Sequence, residues 1–329
     1  MLQSIQYLRG FAALIVAARH SEWVPRLWGD QGVDIFFIIS GFIMMHVMRR
    51  ESEPLTFLRA RIERVVPLYW LVTLYGAWRL GSAVDWHHVL LSLAFVPHVD
   101  PDGLFFPLVR QGWSLLPEMF FYTLFAASLL LPKRYVLIAL TAVLGTLSVI
   151  GLLTGLYEVS PAASVYLSPQ HLEFLAGCWL HKAWDQKRQW FRPAYGIAAI
   201  IACFAIFATI IHHVPGPERV FIWGIPSLLL VGGMLALERS LPRMSLLMLL
   251  GNASYSIYLT HSFSLRYFMN LFRPEPGWTG IANMVVSAAA LGGVLAGVAL
   301  TGILVHFGLE RPIAQLLKRL GRRPAPSAA

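Results

Sequence analysis

Arg9 and His20 stand eleven residues apart in the stretch LRGFAALIVAARH. At about 100° per residue, eleven steps come within roughly 20° of three full turns, so a helix carries both side chains on one face, about 16 Å apart. An imidazole with an ordinary pKa near 6.5 can take a proton from a hydroxyl at neutral pH, and a guanidinium fork binds phosphate oxygens in pairs. One face can therefore hold an anionic group at one end and move a proton at the other. The plainer reading is an arginine that reaches lipid headgroups and a rim histidine bonded to a neighbour.

Four other stretches carry candidate chemistry. In GVDIFFIISGF, Asp34 and Gly41 are seven apart on one helix face with Ser40 beside them. They offer an acidic group and a point of close backbone approach. Asp34 can orient His20 as a carboxylate orients a catalytic imidazole, or it can simply complement a helix N-terminus. In FLRARIERVVPLYW, Arg61 and Arg64 are i, i+3 neighbours flanked by Arg59, and Pro67 fits the first turn of the following span. That cluster suits phosphate groups, and it equally suits anionic lipid at a cytoplasmic membrane edge. WSLLPE places Ser114 as a cap and Glu118 in a first helical turn, at the same predicted depth as His20 and Asp34. Three titratable groups converging there form a site candidate. In GNASYSIYLTHS, Ser254, Tyr258 and His261 share one face, which must look toward protein or a water-filled cavity rather than lipid. No histidine pair has metal-ligand spacing, so no metal is expected. Cys178 and Cys203 read as buried small hydrophobes, and His212 and His213 as solvated loop residues.

The elements that must position these groups are membrane helices. Of 329 residues, 57% are hydrophobic and only 13% charged, with a mean hydropathy of +0.62, whereas soluble domains carry about a quarter charged residues. Apolar runs near 4–21, 32–48, 65–80, 113–131, 135–156, 164–181, 194–212, 220–237, 245–268 and 280–307 predict ten spans. The stretch 87–97 is too short to cross and reads as re-entrant or interfacial. The first run lacks a basic segment before it and is expected to be retained rather than cleaved. Arginine and lysine concentrate in alternate loops, which predicts both termini cytoplasmic. The net charge of +9 then meets anionic headgroups on the inner face, and nucleic acid is a poor explanation of it. The expected fold is all-α and polytopic: an integral membrane domain over 1–310 and a basic cytoplasmic tail over 311–329, frayed at its end.

In order along the chain, Arg9 and His20, GVDIFFIISGF at 32–42, RARIERVVPLYW at 59–70, WSLLPE at 113–118, SYSIYLTH at 254–261 and ERP at 310–312 resemble the acyltransferase-3 family of integral membrane O-acyltransferases. FIISGFIMM and the short chain are most similar to its bacterial exopolysaccharide-modifying branch. The resemblance implies a multi-pass protein of the inner membrane that moves an acyl group, commonly acetyl, from cytoplasmic acyl-CoA to a hydroxyl of a polysaccharide, glycan or glycolipid. It implies His20 as general base with Asp34 and Glu118, donor phosphates on Arg9, Arg61 and Arg64, and substrate contacts at Trp113, Ser114, Tyr258 and His261. Direct transfer and an acyl-histidine intermediate both stay open. Proline at 117 departs from the family's usual small or polar residue. Many relatives carry an appended hydrolase-like domain, so acceptor recognition is expected from this chain's own outer loops or a polysaccharide-synthesis partner. The rival classes are a transporter or flippase, which fits ten spans with polar residues but shows no internal repeat here, and a non-enzymatic scaffold, which leaves His20, Glu118 and His261 unexplained.

Overall fold

Apolar runs punctuated by proline, glycine and capping side chains become helices; the predicted segments fall in helical stretches, but 164–181 and 220–237 are each divided between two helices. In the computed structural model, which describes residues 2–21, 29–210, 218–273 and 280–320, no strand occurs among the described residues. The bundle centres on α1 (Gln3–Arg19) and α2 (Gln31–Val47). α1 packs along α12 (Ser245–Leu271), and α2 packs along α8 (His171–Gln186). Small residues set these crossings. A Cβ on Gly41 would lie 2.0 Å from the Phe174 carbonyl oxygen, and one on Gly177 would lie 1.9 Å from that of Ile38. The two backbones are in direct contact, the packing that helices use where lipid supplies no hydrophobic drive.

α3 (Pro54–Leu80) begins where Glu53 accepts hydrogen bonds from the Leu55 and Thr56 amides and proline occupies the first helical position. The helix therefore starts well before the predicted span, and Pro67 lies inside it rather than in its first turn. Arg61 and Arg64 thus sit on the helix itself, not in a loop before it. α4 (Trp86–Leu93), capped by Asp85, has 8 residues and cannot cross, and Trp70 Nε1 ties its end to α3 by donating to the Leu93 carbonyl at 2.8 Å. α5 (Leu115–Ser128) follows a 3₁₀ turn over Arg110–Ser114 and has only 14 residues, about 21 Å. α6 (Lys133–Thr154) ends at Gly155, whose φ of 67° is a left-handed stop.

The predicted span 164–181 is broken: α7 (Pro161–Tyr166) stops before Ser168 and Pro169, and α8 starts at His171. A proline disfavours helix at the residue before it, which explains the interruption. After α9 (Pro193–Ile210), the short α10 (Arg219–Ile222) leads through Trp223 into α11 (Gly224–Ala236). α13 (Gly280–Val305) runs through a π-type turn, His306–Glu310, into α14 (Arg311–Leu320). The helix therefore crosses the predicted domain boundary at 310 without a break. Residues 321–329, His212 and His213 lie outside the described residues. Among the described residues three helices are long and apolar enough to cross a membrane, Lys133–Thr154, Arg219–Ala236 and Asn283–Leu320, while Gln31–Val47 and Pro193–Thr209 are apolar but shorter. Cys178 and Cys203 are free and buried.

Candidate active site

His20 caps the C-terminus of α1 with its ring exposed. Its Nδ1 lies 2.8 Å from the Val16 carbonyl oxygen, and a carbonyl only accepts, so Nδ1 carries the proton and Nε2 of the neutral ring keeps its lone pair. The buried His261 is fixed in the same way, with Nδ1 2.6 Å from the Tyr258 carbonyl. The two rings pack at a centroid distance of 5.0 Å and a tilt of 47°. α1 and α12 thus bring together two imidazoles that are 241 positions apart in the chain.

Below them a cavity of about 70 Å³ lies among α1, α2, α3, α5 and α12. Arg9 and Arg64 line it, with Glu118, Ser40 and Tyr122 grouped on its wall and Ser114 and Tyr258 at another edge. Glu118 Oε1 accepts from Ser40 Oγ at 2.9 Å and from Tyr122 OH at 2.5 Å. It does not stand level with His20. Ser40 lies six residues beyond Asp34 on α2, so Glu118 sits about 9 Å deeper than Asp34, because the 3₁₀ turn carries the chain inward before α5 starts. Arg9 is 7% exposed and donates to Gln6 Oε1 at 3.3 Å; its electrostatic neighbours are Arg64, Glu310, Tyr122 and Glu118. Among the described residues Arg64 makes no hydrogen bond or ion pair. Arg61 stands at the rim, donating to Met44 Sδ at 3.9 Å and lying over the Phe57 ring.

Tyr258 links the cavity to the histidines. Its hydroxyl donates to the Gln111 carbonyl at 2.9 Å and accepts from Ser114 Oγ at 2.7 Å, and its ring is 6.0 Å from that of His261. The Gln111 side chain in turn donates to Ser262 Oγ and the Leu259 carbonyl, each at 2.7 Å. Polar side chains thus run from Arg9 to His20.

Asp34 does not join that path. It is fully buried and forms an ion pair of 3.0 Å with Arg219, with buried Glu173 beside it. Arg219 also lies over Trp223 and 6.0 Å from the ring of Trp113. Arg219, Glu173, Tyr122 and Gln111 are absent from the residues singled out by the sequence. The charged pair was marked only by standing in apolar surroundings. Glu310, part of the ERP motif, accepts from Ser256 Oγ at 2.6 Å and is 2.8 Å from His306 Nδ1.

A second, larger cavity of about 240 Å³ lies on the other side of the WSLLPE segment, bordered by Trp113, Pro117, Phe95, His98, Tyr157 and Gln170. In its wall His98 Nδ1 meets the Val96 carbonyl at 2.7 Å, so its Nε2 accepts from His88 Nδ1, also at 2.7 Å. Burial and the neighbouring His98 push His88 below its ordinary 6.5, while Asp100 and Asp85 oppose the shift. A lowered folded-state pKa means that this pairing stabilises the loop above about pH 6.5 and loses its effect as pH falls through the folded value. Amide protection factors in residues 86–107, taken relative to the intrinsic exchange rate at each pH, are therefore expected to fall between pH 7 and 5, and His98→Ala should flatten that dependence; an unchanged profile would remove the pair's role.

Comparison with known proteins identifies the family. The family model described as "Acyltransferase domain" of acyltransferase 3 matches residues 2–304. The chain belongs to the acyltransferase-3 family. It is 35% identical over 299 residues to the exopolysaccharide production protein ExoZ of Rhizobium meliloti, covering 87% of this chain and 89% of that one. The putative membrane-bound transacylase BcsY of Komagataeibacter xylinus is 27% identical over 343 residues, with 94% and 82% covered. The peptidoglycan O-acetyltransferase OatA of Listeria monocytogenes is 25% identical over 305 residues, covering 78% of this chain and 48% of its own length. No solved structure matches the chain. As an acyltransferase-3 protein it is an all-helical membrane acyltransferase of the non-aminoacyl kind.

Proposed function

We propose that this acyltransferase moves an acyl group, acetyl in the first instance, from cytoplasmic acyl-CoA to a hydroxyl of an exopolysaccharide, glycan or glycolipid, with His20 as general base. The observation that carries the reading is the exposed His20, whose Nδ1 is committed to Val16 while its Nε2 has no hydrogen-bond partner among the described residues. The names of ExoZ and OatA support a polysaccharide acceptor. In this reading the chain lies across the inner membrane in ten passes with both termini cytoplasmic, as loop charge favours. The donor's phosphates rest on Arg9 and Arg64, and its pantetheine arm runs past Ser114 and Tyr258 toward His20. The acceptor hydroxyl loses its proton to Nε2 as its oxygen bonds to the thioester carbon. The carbon–sulfur bond then breaks, and the imidazolium returns the proton to the departing thiolate. His261 packs against the base, while Asp34 holds Arg219 and α10 in place.

Washed membranes given radiolabelled acetyl-CoA and acceptor polysaccharide provide the test. Label should enter the polysaccharide as one free thiol appears per acyl group; an intact thioester would instead indicate a carrier. Removing a charge-assisted phosphate contact costs about 1.5–3 kcal/mol. Arg64→Ala is therefore expected to raise the donor KM roughly tenfold or more with kcat little altered, and Arg61→Ala, at the rim, to raise it less. Equal donor constants in parent and both variants would take the donor away from this face.

A further inference from the structure

Trp113, Leu116 and Pro117 line the 240 Å³ cavity, whereas Ser114, Leu115 and Glu118 of the same segment line the deeper one. A single helical turn is therefore the partition between two cavities, one already read as the donor's and one with no occupant assigned. We propose that the 240 Å³ cavity is the acceptor subsite and that it takes one electrically neutral sugar ring, resting on the proposed transfer activity.

The lining fits that ligand class. Phe95, Phe105, Phe106, Trp113 and Tyr157 are all half-buried there, so each keeps a ring surface toward the cavity instead of spending it in the core. Aromatic faces pack well against the C–H faces of pyranoses, and a few convergent polar groups fix orientation. Ser164, Ser168 and Gln170 supply those groups. The Gln170 carboxamide oxygen is engaged by Ser168 Oγ at 3.3 Å, which leaves its NH₂ as a donor for hydroxyls. At about 240 Å³ the cavity is below the roughly 300–1,000 Å³ of drug-sized sites, which suits one ring rather than an extended segment.

Charge decides the class of sugar. The one arginine in the lining, Arg219, is bonded to Asp34 at 3.0 Å with Glu173 and Asp30 also near it, and Asp30 is paired in turn with Arg19 at 3.2 Å. Arg110, on the neighbouring loop, is held by Asp102 at 3.0 Å and Asp100 at 3.8 Å. His98 Nε2 is taken up by His88 Nδ1 at 2.7 Å, and burial together with that neighbour holds His88 below its ordinary value. Among the described residues no arginine or lysine in this wall is free for a uronate or other anionic substituent, so an anionic ring would give up its hydration there without gaining a counter-charge. A neutral ring meets no such penalty.

The experiment is acceptor saturation kinetics in membranes at saturating acetyl-CoA, with neutral oligosaccharides and oligouronates of matched length. The parent, Tyr157→Ala and Gln170→Ala are compared; neither position touches the donor cavity or the histidines. Expected are transfer to neutral oligosaccharides alone, an acceptor KM raised about tenfold in each variant, and an unchanged donor KM. Equal use of oligouronates would overturn the neutral class. Parental acceptor constants in both variants would overturn the subsite while leaving the acyltransferase reading intact. Absence of transfer to any glycan, with acetyl-CoA consumed or not, would overturn both.

Discussion

His20→Ala is expected to slow acyl transfer about 10²- to 10⁴-fold, the usual contribution of a positioned general base, while donor binding measured in the same membranes stays at the parental level. The two readouts separate because His20 and the arginine end of the cavity belong to different parts of α1: Arg9 is buried within the helix and His20 caps its end. His20→Gln sharpens the test. Its amide can keep a hydrogen bond to Val16 yet cannot take a proton at neutral pH, so a purely structural role would be rescued and a catalytic one would not. His261→Gln should cost less, since the buried ring acts by packing on His20 at 5.0 Å. Parental turnover in His20→Ala at matched membrane levels would leave the family assignment standing and remove His20 from the chemistry.

The separation of Arg9 and His20 was legible because α1 runs unbroken from Arg9 to its C-cap at His20, where the helical rise alone fixes the distance. Helix positions were legible for the same reason, from the apolar runs. Depth across helices was not. Placing Glu118 level with His20 assumes that α5 begins at the membrane edge, whereas a 3₁₀ turn first carries the chain inward and the helix has 14 residues. Nor could the partner of Asp34 be read, since Arg219 is 185 residues away and the encounter depends on how α2, α8 and α10 pack. The arginines of FLRARIERVV kept their predicted grouping near a cavity, but the start of α3 moved upstream because Glu53 and Pro54 form a capping signal that the hydropathy of the span does not record.

Gly41→Ala and Gly177→Ala are expected to destabilise the protein more than any change in the cavities. A buried methyl group gains about 0.8 kcal/mol by leaving water. Here it would arrive 2.0 Å from the Phe174 carbonyl oxygen or 1.9 Å from that of Ile38, backbone atoms that no rotamer change can move. Overpacking of this kind costs about 1–3 kcal/mol, occasionally more, so the steric term wins and α2 must part from α8. The thermal midpoint of the detergent-solubilised protein should fall by several degrees for either variant. Because both glycines serve one crossing, the double variant should lose less than the sum, the mark of coupled sites. Activity should fall as well, for a chemical reason: Ser40, which binds Glu118, immediately precedes Gly41, and Asp34, which anchors Arg219, is two turns away on the same helix. A shift of α2 therefore reaches both cavities at once. Unchanged midpoints in both variants would mean that α2 and α8 do not meet by their backbones, and the geometry argued for Glu118 and Arg219 would fall with that crossing.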